Sequence, residues 1–177
     1  MTLRSVTKSI LITLCICLVS YSLIATYAHF WLTEPKIKLG QIISFNNPND
    51  KFTNEILSQG WATPESWGVW SNGEKAKLIF PKPSPSATKM IIHARAFVNP
   101  KNSEQNIDIS INHQHLLSVS LTKDNNNSIT IPLDKNLKSP QAYEIDFTFH
   151  NATSPLANKL GSDSRRLGIG IEWVQFQ

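Results

Sequence analysis

Cysteine is nearly absent from this chain of 177 residues. The only two cysteines, Cys15 and Cys17, lie in an apolar segment near the N-terminus, so the residues beyond it can form neither a disulfide nor a thiolate metal site. Small secreted eukaryotic domains often rely on disulfides, and a domain exported without them is more typical of a bacterial envelope protein.

Concentrated positive charge and the common catalytic motifs are also absent. The chain has 17 Lys and Arg against 13 Asp and Glu, a net charge of +4, and no basic block, which gives nucleic-acid binding no electrostatic support. No G-x-S-x-G, H-E-x-x-H, Walker or G-x-G-x-x-G motif occurs. The absence of these motifs predicts a protein that is not an enzyme.

The N-terminal part contains a long uncharged run. Residues 10–32 lack Lys, Arg, Asp and Glu over about 23 positions, enough to cross a hydrocarbon core about 30 Å thick as a helix. Arg4 and Lys8 precede this run, and the positive-inside rule keeps them in the cytoplasm. We therefore predict a cytoplasmic segment over residues 1–9, a transmembrane signal anchor over residues 10–32 and an extracytoplasmic domain over residues 33–177.

A cleaved signal peptide is the alternative interpretation of the same run. Thr26-Tyr27-Ala28 has small residues at the spacing of a cleavage site, although the apolar run continues beyond it. Both interpretations place the domain outside the cytoplasm. The predicted location is the cytoplasmic membrane, crossed once, with the C-terminal domain on the periplasmic side.

The rest of the chain alternates apolar and polar residues with period two, as half-buried strands do. Many short strands separated by turn residues predict an all-β fold, a jelly-roll-like antiparallel β-sandwich of about eight or nine strands. The apolar sets expected to face the core are Ala76, Leu78, Phe80; Ile107, Ile109, Ile111; Leu117, Val119, Leu121; Ile129, Ile131, Leu133; Tyr143, Ile145, Phe147, Phe149; and Leu167, Ile169, Ile171, Trp173.

Three of the five tryptophans fall within one short stretch, GWATPESWGVWSNG (60–73). If Ser66–Ser71 is extended, Trp67 and Trp70 point to opposite sides, so one fills the core and the other does not. An exposed indole offers a flat apolar face to the C–H groups of a sugar ring, and a nearby carboxylate can accept hydroxyl hydrogen bonds. Trp61, Glu65, Trp67 and Trp70 are therefore candidate carbohydrate-binding residues; the alternative is that these tryptophans are structural.

A second dense stretch, GSDSRRLGI (161–169), leads into the last strand. Asp163 and Arg165 are candidate carbohydrate-binding residues, as a charged pair lining a polar groove beside the tryptophans. The alternative is structural: Asp163 caps the turn, and Arg165 or Arg166 pairs with a carboxylate or bonds loop carbonyls.

The two stretches together resemble a bacterial domain of unknown function. That domain is associated with extracytoplasmic parts of membrane glycosyltransferases and other polysaccharide-assembly proteins. The segment ISINHQHL (109–116) is similar to the hairpin of galactose-binding-like jelly rolls, with His113 where that pattern has glycine, so a different turn type is expected. The resemblance covers about residues 56–177 and implies a β-sandwich, but it supplies no catalytic residues.

The sequence gives little support for metal binding or for catalysis. His113 and His115 are two apart on a predicted hairpin, but no third ligand accompanies them, so neither a metal nor another cofactor is expected. Glu65 and Asp163 could flank a glycosidic bond as in a hydrolase, yet the sequence fixes no separation between them.

The function expected from the sequence is a membrane-anchored, non-catalytic carbohydrate-binding or polysaccharide-assembly accessory module of the cell envelope. Its partners would be an envelope glycan, the membrane itself and no nucleic acid. An alternative is a protein-interaction module that docks on a membrane glycosyltransferase or export complex through the same tryptophans. An envelope carbohydrate-active enzyme is a third possibility.

Overall fold

A computed structural model describes residues 3–33, 37–81, 83–133 and 142–177. Residues 1–2 of the predicted cytoplasmic segment and residues 34–36 of the predicted domain lie outside this range. The chain divides into two compact units, with the boundary between residues 34 and 35. The first unit is one helix, α1 (Leu3–Thr33), which includes the uncharged run. No helix among the described residues is long and apolar enough to cross a membrane.

The second unit is built from short strands and one short helix. The helix α2 (Lys51–Ile56) begins after Asp50, whose side chain accepts a hydrogen bond from the Phe52 amide. Within the described residues the strands are β1 (Ile42–Ser44), β2 (Leu57–Gln59), β3 (Val69–Trp70), β4 (Lys75–Pro81), β5 (Lys89–Ala96), β6 (Gln105–Ile111), β7 (Gln114–Leu121), β8 (Asn127–Pro132), β9 (Ala142–Phe149) and β10 (Ile169–Phe176).

All paired strands are antiparallel and form two five-stranded sheets. The first sheet has the order β1-β10-β5-β8, with β3 also paired to β10; the second has the order β2-β4-β9-β6-β7. Every connection between consecutive strands crosses from one sheet to the other, except the β6–β7 hairpin. This crossing pattern is jelly-roll-like, and it confirms the antiparallel β-sandwich predicted from the sequence.

The core lies between the two sheets, where the predicted alternation places the apolar side chains. On β4, β6 and β9 buried residues alternate with half-buried or exposed ones. Phe80 of the second sheet meets Phe176 of the first edge to face, with ring centroids 5.3 Å apart. Leu117, Val119 and Tyr143 are only partly buried, because β7 is an edge strand and Tyr143 lies near the start of β9.

Two predicted side-chain directions are wrong. Trp173 does not share the inner face of β10 with Ile171, because the register of β10 against β5 shifts between these two residues. Trp67 and Trp70 do not point to opposite sides, and neither fills the core, because Glu65 and Gly68 exchange backbone hydrogen bonds and hold Trp67 in a tight turn. In both places one local irregularity breaks the period of two.

The β6–β7 hairpin keeps the geometry of a glycine turn without the glycine. Its two central residues, Asn112 and His113, have φ of 48° and 67°, the left-handed pair that a type I′ turn requires. The different turn type expected from His113 is therefore not found. The Asn112 side chain accepts a hydrogen bond from the Glu144 amide, which fixes the turn against β9.

The chain enters the sandwich at one end of β10. Ile37 forms a bridge with Pro83, and the Gly40 amide donates to the Phe176 carbonyl, which lies near the C-terminal end of the strand. The β9–β10 loop leads into the opposite end of β10, at Ile169. These ends are about 20 Å apart, since Ile169 and Phe176 pair with Ala96 and Met90, which are six residues apart on β5.

Candidate functional site

Two loops are fastened together at the Ile169 end of β10. The buried Ser71 hydroxyl accepts hydrogen bonds from the amides of Gly168 and Ile169, both at 3.0 Å. The Gly73 amide donates to the Arg166 carbonyl at 2.8 Å. These bonds place the Trp61–Gly73 stretch against the Asp163–Arg166 stretch, although about a hundred residues separate them in sequence.

Glu65, Asp163 and Arg165 form one charged group at this junction, here called the Arg165 cluster. The Arg165 guanidinium donates to Asp163 through Nε and Nη2, with a shortest distance of 2.7 Å. It also reaches Glu65 Oε1 through Nη1 at 3.4 Å. The hydrogen bonds from Arg165 hold the pKa of Asp163 below its ordinary value and raise the pKa of Arg165.

Trp67 is held in place from several sides. Its indole N–H donates to Glu65 Oε2 at 2.9 Å, which joins it to the Arg165 cluster. The Arg95 guanidinium lies over its ring, 4.2 Å from the centroid, and the Trp70 ring meets it at 66° with centroids 5.3 Å apart. Arg95 covers one face of the Trp67 ring, so this indole serves mainly to position Trp70 and Glu65 and offers a ligand little open surface.

Trp70 lies beside Trp67 on the outer face of the first sheet. Both rings cover Gly170, where an added Cβ would come within 2.4 Å of Trp67 and 3.0 Å of Trp70. Only glycine lets two indoles approach the sheet this closely. Among the described residues the Trp70 indole N–H has no hydrogen-bond partner, and its nitrogen is not buried, so it can donate to a ligand.

Trp61 points elsewhere. Its indole N–H donates to the Lys77 carbonyl at 2.8 Å, and its ring meets Phe147 edge to face at 5.9 Å. Both partners belong to the second sheet, so Trp61 packs against the core. Of the six residues predicted for the site, the structure brings together Glu65, Trp67, Trp70, Asp163 and Arg165 and leaves Trp61 apart.

Four further residues extend the site, and the sequence interpretation missed them. Glu172 accepts from Arg95 Nε at 2.8 Å and lies 3.0 Å from His93 Nδ1. The His93 ring stacks on Trp173 with the two planes 1° from parallel and centroids 5.0 Å apart. The sequence Ile171-Glu172-Trp173-Val174 shows only that the alternation of β10 changes phase; it does not show where the phase changes or that His93 and Arg95 lie opposite.

These side chains make a continuous strip on the water-facing side of the first sheet, which we call the tryptophan face. It consists of Trp67, Trp70, His93, Arg95, Glu172 and Trp173, and the Arg165 cluster adjoins it at the Ile169 end. The charged side chains of this region are 23% to 41% exposed. The strip combines flat apolar rings with fixed donors and acceptors, which is the chemistry that binds sugars.

The outer face of the second sheet carries charge without exposed indoles, and we call it the polar face. Lys77 Nζ lies 2.9 Å from Glu144 and 3.4 Å from Asp146. Asp108 accepts from Ser118 and lies 2.7 Å from His150 Nε2. Because Ser118 bonds to the carboxylate and not to the imidazole, these three residues do not form a nucleophile–base pair.

Metal binding has no site among the described residues, since no group of three or more His, Cys, Asp or Glu is arranged to hold an ion.

On the polar face, hydrogen bonds from Ser118 and then His150 hold the pKa of Asp108 below its ordinary value. The hydrogen bond with Glu144 raises the pKa of Lys77, and the same bond lowers that of Glu144.

The chain belongs to a family described as a domain of unknown function (DUF7024), which matches residues 38–177. This agrees with the resemblance to a bacterial domain of unknown function found in the sequence. Among curated proteins, none matches this chain.

Solved structures similar to this chain include several from carbohydrate-active proteins. The CBM36-1 domain of a multidomain xylanase from the hindgut metagenome of Trinervitermes trinervoides is 10% identical, with 77% of this chain and 95% of that one covered and a TM-score of 0.46. CBM51 from Clostridium perfringens GH95, in complex with methyl-galactose, is 9% identical, with 81% and 92% covered and a TM-score of 0.36. An acetyl xylan esterase from Butyrivibrio proteoclasticus is 10% identical, with 78% of this chain but 33% of that one covered and a TM-score of 0.47.

Proposed function

We propose that the second unit is a non-catalytic module that binds a glycan on the tryptophan face. The observation that carries the proposal is the half-buried Trp70 beside Trp67 on a water-facing sheet, next to paired Arg and carboxylate side chains. Indoles on the outer side of a sheet are not needed to fill the core, which the inner face already supplies.

The chemistry of the strip suits sugars. A pyranose ring has an apolar C–H side that packs on an indole, and hydroxyl groups at its edge that need both donors and acceptors. The tryptophan face and the Arg165 cluster supply rings, guanidinium donors and carboxylate acceptors within one strip. Their mutual hydrogen bonds hold the polar groups in fixed positions before a ligand arrives, which lowers the entropy cost of binding.

The same contacts argue against glycoside hydrolysis. A general acid for this reaction needs a raised pKa, so that it is protonated near neutral pH. Arg165 instead lowers the pKa of Asp163 and also pairs with Glu65. Both carboxylates are bound to one guanidinium, which supports a binding role for them.

The proposal includes the envelope location and the polysaccharide-assembly role predicted from the sequence. The uncharged run of residues 10–32, with Arg4 and Lys8 before it, supports export and membrane anchorage. A membrane glycosyltransferase or an export complex would be the protein it serves. Fractionation of native cells, with protease added from the periplasmic side, tests this part: a protected domain would contradict it.

The binding test uses the full-length protein and an array of envelope polysaccharides. We expect Trp70→Ala to weaken binding of the retained glycan by about tenfold, equivalent to about 1.4 kcal/mol. Trp61→Phe and His150→Ala, which alter a core tryptophan and the polar face, serve as matched controls and should bind like the parent. Retention of no glycan by the parent protein, or equal loss in all three variants, would contradict the proposal.

A second candidate function, docking of a protein partner, is favoured by one specific observation. Leu156 and Leu160 are 55% and 57% exposed in the β9–β10 loop, and the Leu156 amide donates to the Asp163 carbonyl. Exposed leucines beside Trp and Arg enlarge the apolar surface in the way that protein interfaces require. Loss of a co-purified membrane partner in the Leu156→Ser, Leu160→Ser variant, with glycan binding intact, would support this function.

A further inference from the structure

The ligand surface extends beyond the loops because of the irregularity in β10. Ile171 and Val174 are both fully buried, yet two residues lie between them, and the register against β5 shifts at this place. A bulge of this kind puts two successive side chains on the same side of the sheet. Glu172 and Trp173 consequently both face outward, where each contacts His93.

Trp173 offers a ligand the same features as Trp70. It is half-buried, and among the described residues its indole N–H has no hydrogen-bond partner while its nitrogen is not buried. The parallel His93 ring holds it in one orientation. The indole N–H groups of Trp61 and Trp67 are by contrast already used within the protein.

The two open indoles are separated by more than one sugar ring. Gly170, which pairs with Trp70, is opposite Arg95 on β5, and Trp173 is opposite His93, only two residues farther along β5 because of the bulge. At the rise of a strand this is about 7 Å along the sheet, and Trp70 lies on the neighbouring strand β3. Between them lie Glu172 and Arg95, which are joined by a 2.8 Å hydrogen bond and together are polar without net charge.

The charge of the whole strip disfavours acidic ligands. The tryptophan face and the Arg165 cluster contain three carboxylates, Glu65, Asp163 and Glu172, against the guanidinium groups of Arg95 and Arg165. Both guanidinium groups are already paired with carboxylates. A uronate or phosphate group would have to displace one of these carboxylates before it could bind.

We propose that the ligand is a linear, uncharged oligosaccharide that lies along β10, with one sugar ring against Trp70 and another against Trp173. Glu172 and Arg95 contact the hydroxyl groups between these two rings. This inference rests on the proposed glycan-binding function and adds to it the length and the charge of the ligand. It also makes Trp173 a binding residue.

The test is calorimetric titration of the full-length protein with ladders of neutral β-1,4-linked oligosaccharides (glucose, xylose and mannose series), from monosaccharide to hexasaccharide, and with oligogalacturonates. We expect affinity to rise with length in one neutral series. We expect Trp173→Ala to weaken the hexasaccharide by about tenfold and the disaccharide by less than about twofold. Trp70→Ala should weaken both, and the thermal unfolding of each variant reports whether its fold is retained.

The inference is overturned if monosaccharide and hexasaccharide bind equally, if Trp173→Ala binds every length like the parent, or if oligogalacturonates bind more tightly than neutral oligomers. Should Trp173→Ala fail to fold, Trp173→Phe and His93→Ala, which alter the same end of the strip, must reduce the length dependence. If the parent binds no oligosaccharide and no envelope polysaccharide, the proposed function itself fails. A glycan lost on Trp70→Ala but not on any Trp173 or His93 variant refutes only the extended site.

Discussion

The two outer faces of the sandwich are covered in different ways. The polar face and the tryptophan face both carry ion pairs between neighbouring strands, with side chains of similar exposure. On each side one cation is held by two carboxylates: Lys77 by Glu144 and Asp146, and Arg165 by Glu65 and Asp163. Only the tryptophan face adds indole rings among its charges.

This difference separates features that any water-facing sheet needs from features that point to a ligand. Exposed ion pairs contribute little to stability and cover many sheets without further function. Aromatic rings on the outer side cost solubility and fill no core. The polar face therefore acts as an internal control: changes there alter charge alone, whereas equivalent changes on the tryptophan face alter charge beside rings.

The largest effect is expected from Gly170→Ala. A Cβ at this position would lie 2.4 Å from Trp67, so both indoles must shift. We expect the unfolding free energy to fall by about 1–3 kcal/mol, as for other overpacked sites, and glycan binding to be lost with all five tryptophans still present. Denaturant unfolding and glycan titration check this. Unchanged binding would mean that the position of the indoles over Gly170 is irrelevant to function.

A gain in stability is expected on the other side of the molecule. His113 holds φ of 67° in the β6–β7 turn, a conformation that a side chain disfavours and glycine does not. His113→Gly should raise the unfolding free energy by about 0.5–1 kcal/mol and leave glycan binding unchanged. Thermal unfolding measures the gain. His113 Nδ1 lies 3.9 Å from Asp146 Oδ2, and a loss of stability would show that this contact matters more than the backbone conformation.

A matched pair of variants sharpens the comparison most directly. Arg165→Met and Lys77→Met each remove a cation held by two carboxylates, and both sites are partly exposed. We expect each to lower the unfolding free energy by about 0.5 kcal/mol. Only Arg165→Met should reduce glycan affinity, because it frees Glu65, which orients Trp67. Equal effects of both variants on binding would remove the distinction between the two faces.

Acid should weaken both faces through their carboxylates. Arg165 holds the pKa of Asp163 below its ordinary value, so the stability that this contact provides is present above about pH 4 and is lost as the pH falls through the lower folded value. Asp108 behaves in the same way through Ser118 and His150. We expect the unfolding free energy of Asp163→Asn and of Asp108→Asn to decrease less than that of the parent as the pH falls below about 4. A steeper acid loss in Asp163→Asn would contradict the sign of the shift.

The sequence predicted the sandwich well, because period-two alternation is a local signal. Ala76, Leu78 and Phe80, and equally Ile107, Ile109 and Ile111, are buried as expected. The sequence also predicted Glu65, Asp163 and Arg165 as candidate binding residues, because they are charged residues in turn-rich stretches near tryptophans or before the last strand. That these residues touch one another depends on the Ser71 and Gly73 hydrogen bonds, and no local pattern contains such a contact.

The remaining part of the strip could not be predicted for a different reason. His93 and Arg95 lie on β5, and Glu172 lies on β10, so their contacts depend on the register between two strands far apart in sequence. Strict alternation through Ile171 predicts that Trp173 faces the core, whereas the bulge turns it outward. A shift of one residue turns a strand's side chains to the other face. The period-two pattern of β10 therefore does not show that Trp173 is on the outer face.

The path of the chain at Ile37 has a practical consequence. The bridge to Pro83 and the bond from Gly40 to Phe176 put the N-terminal part of the domain at the end of β10 away from the Arg165 cluster. A biosensor chip or affinity resin coupled through that end would leave the tryptophan face open to the dissolved ligand under test. Lys101 donates to the Asn158 carbonyl of the β9–β10 loop, so coupling through Lys101 would put the support at the opposite end, where the Arg165 cluster lies.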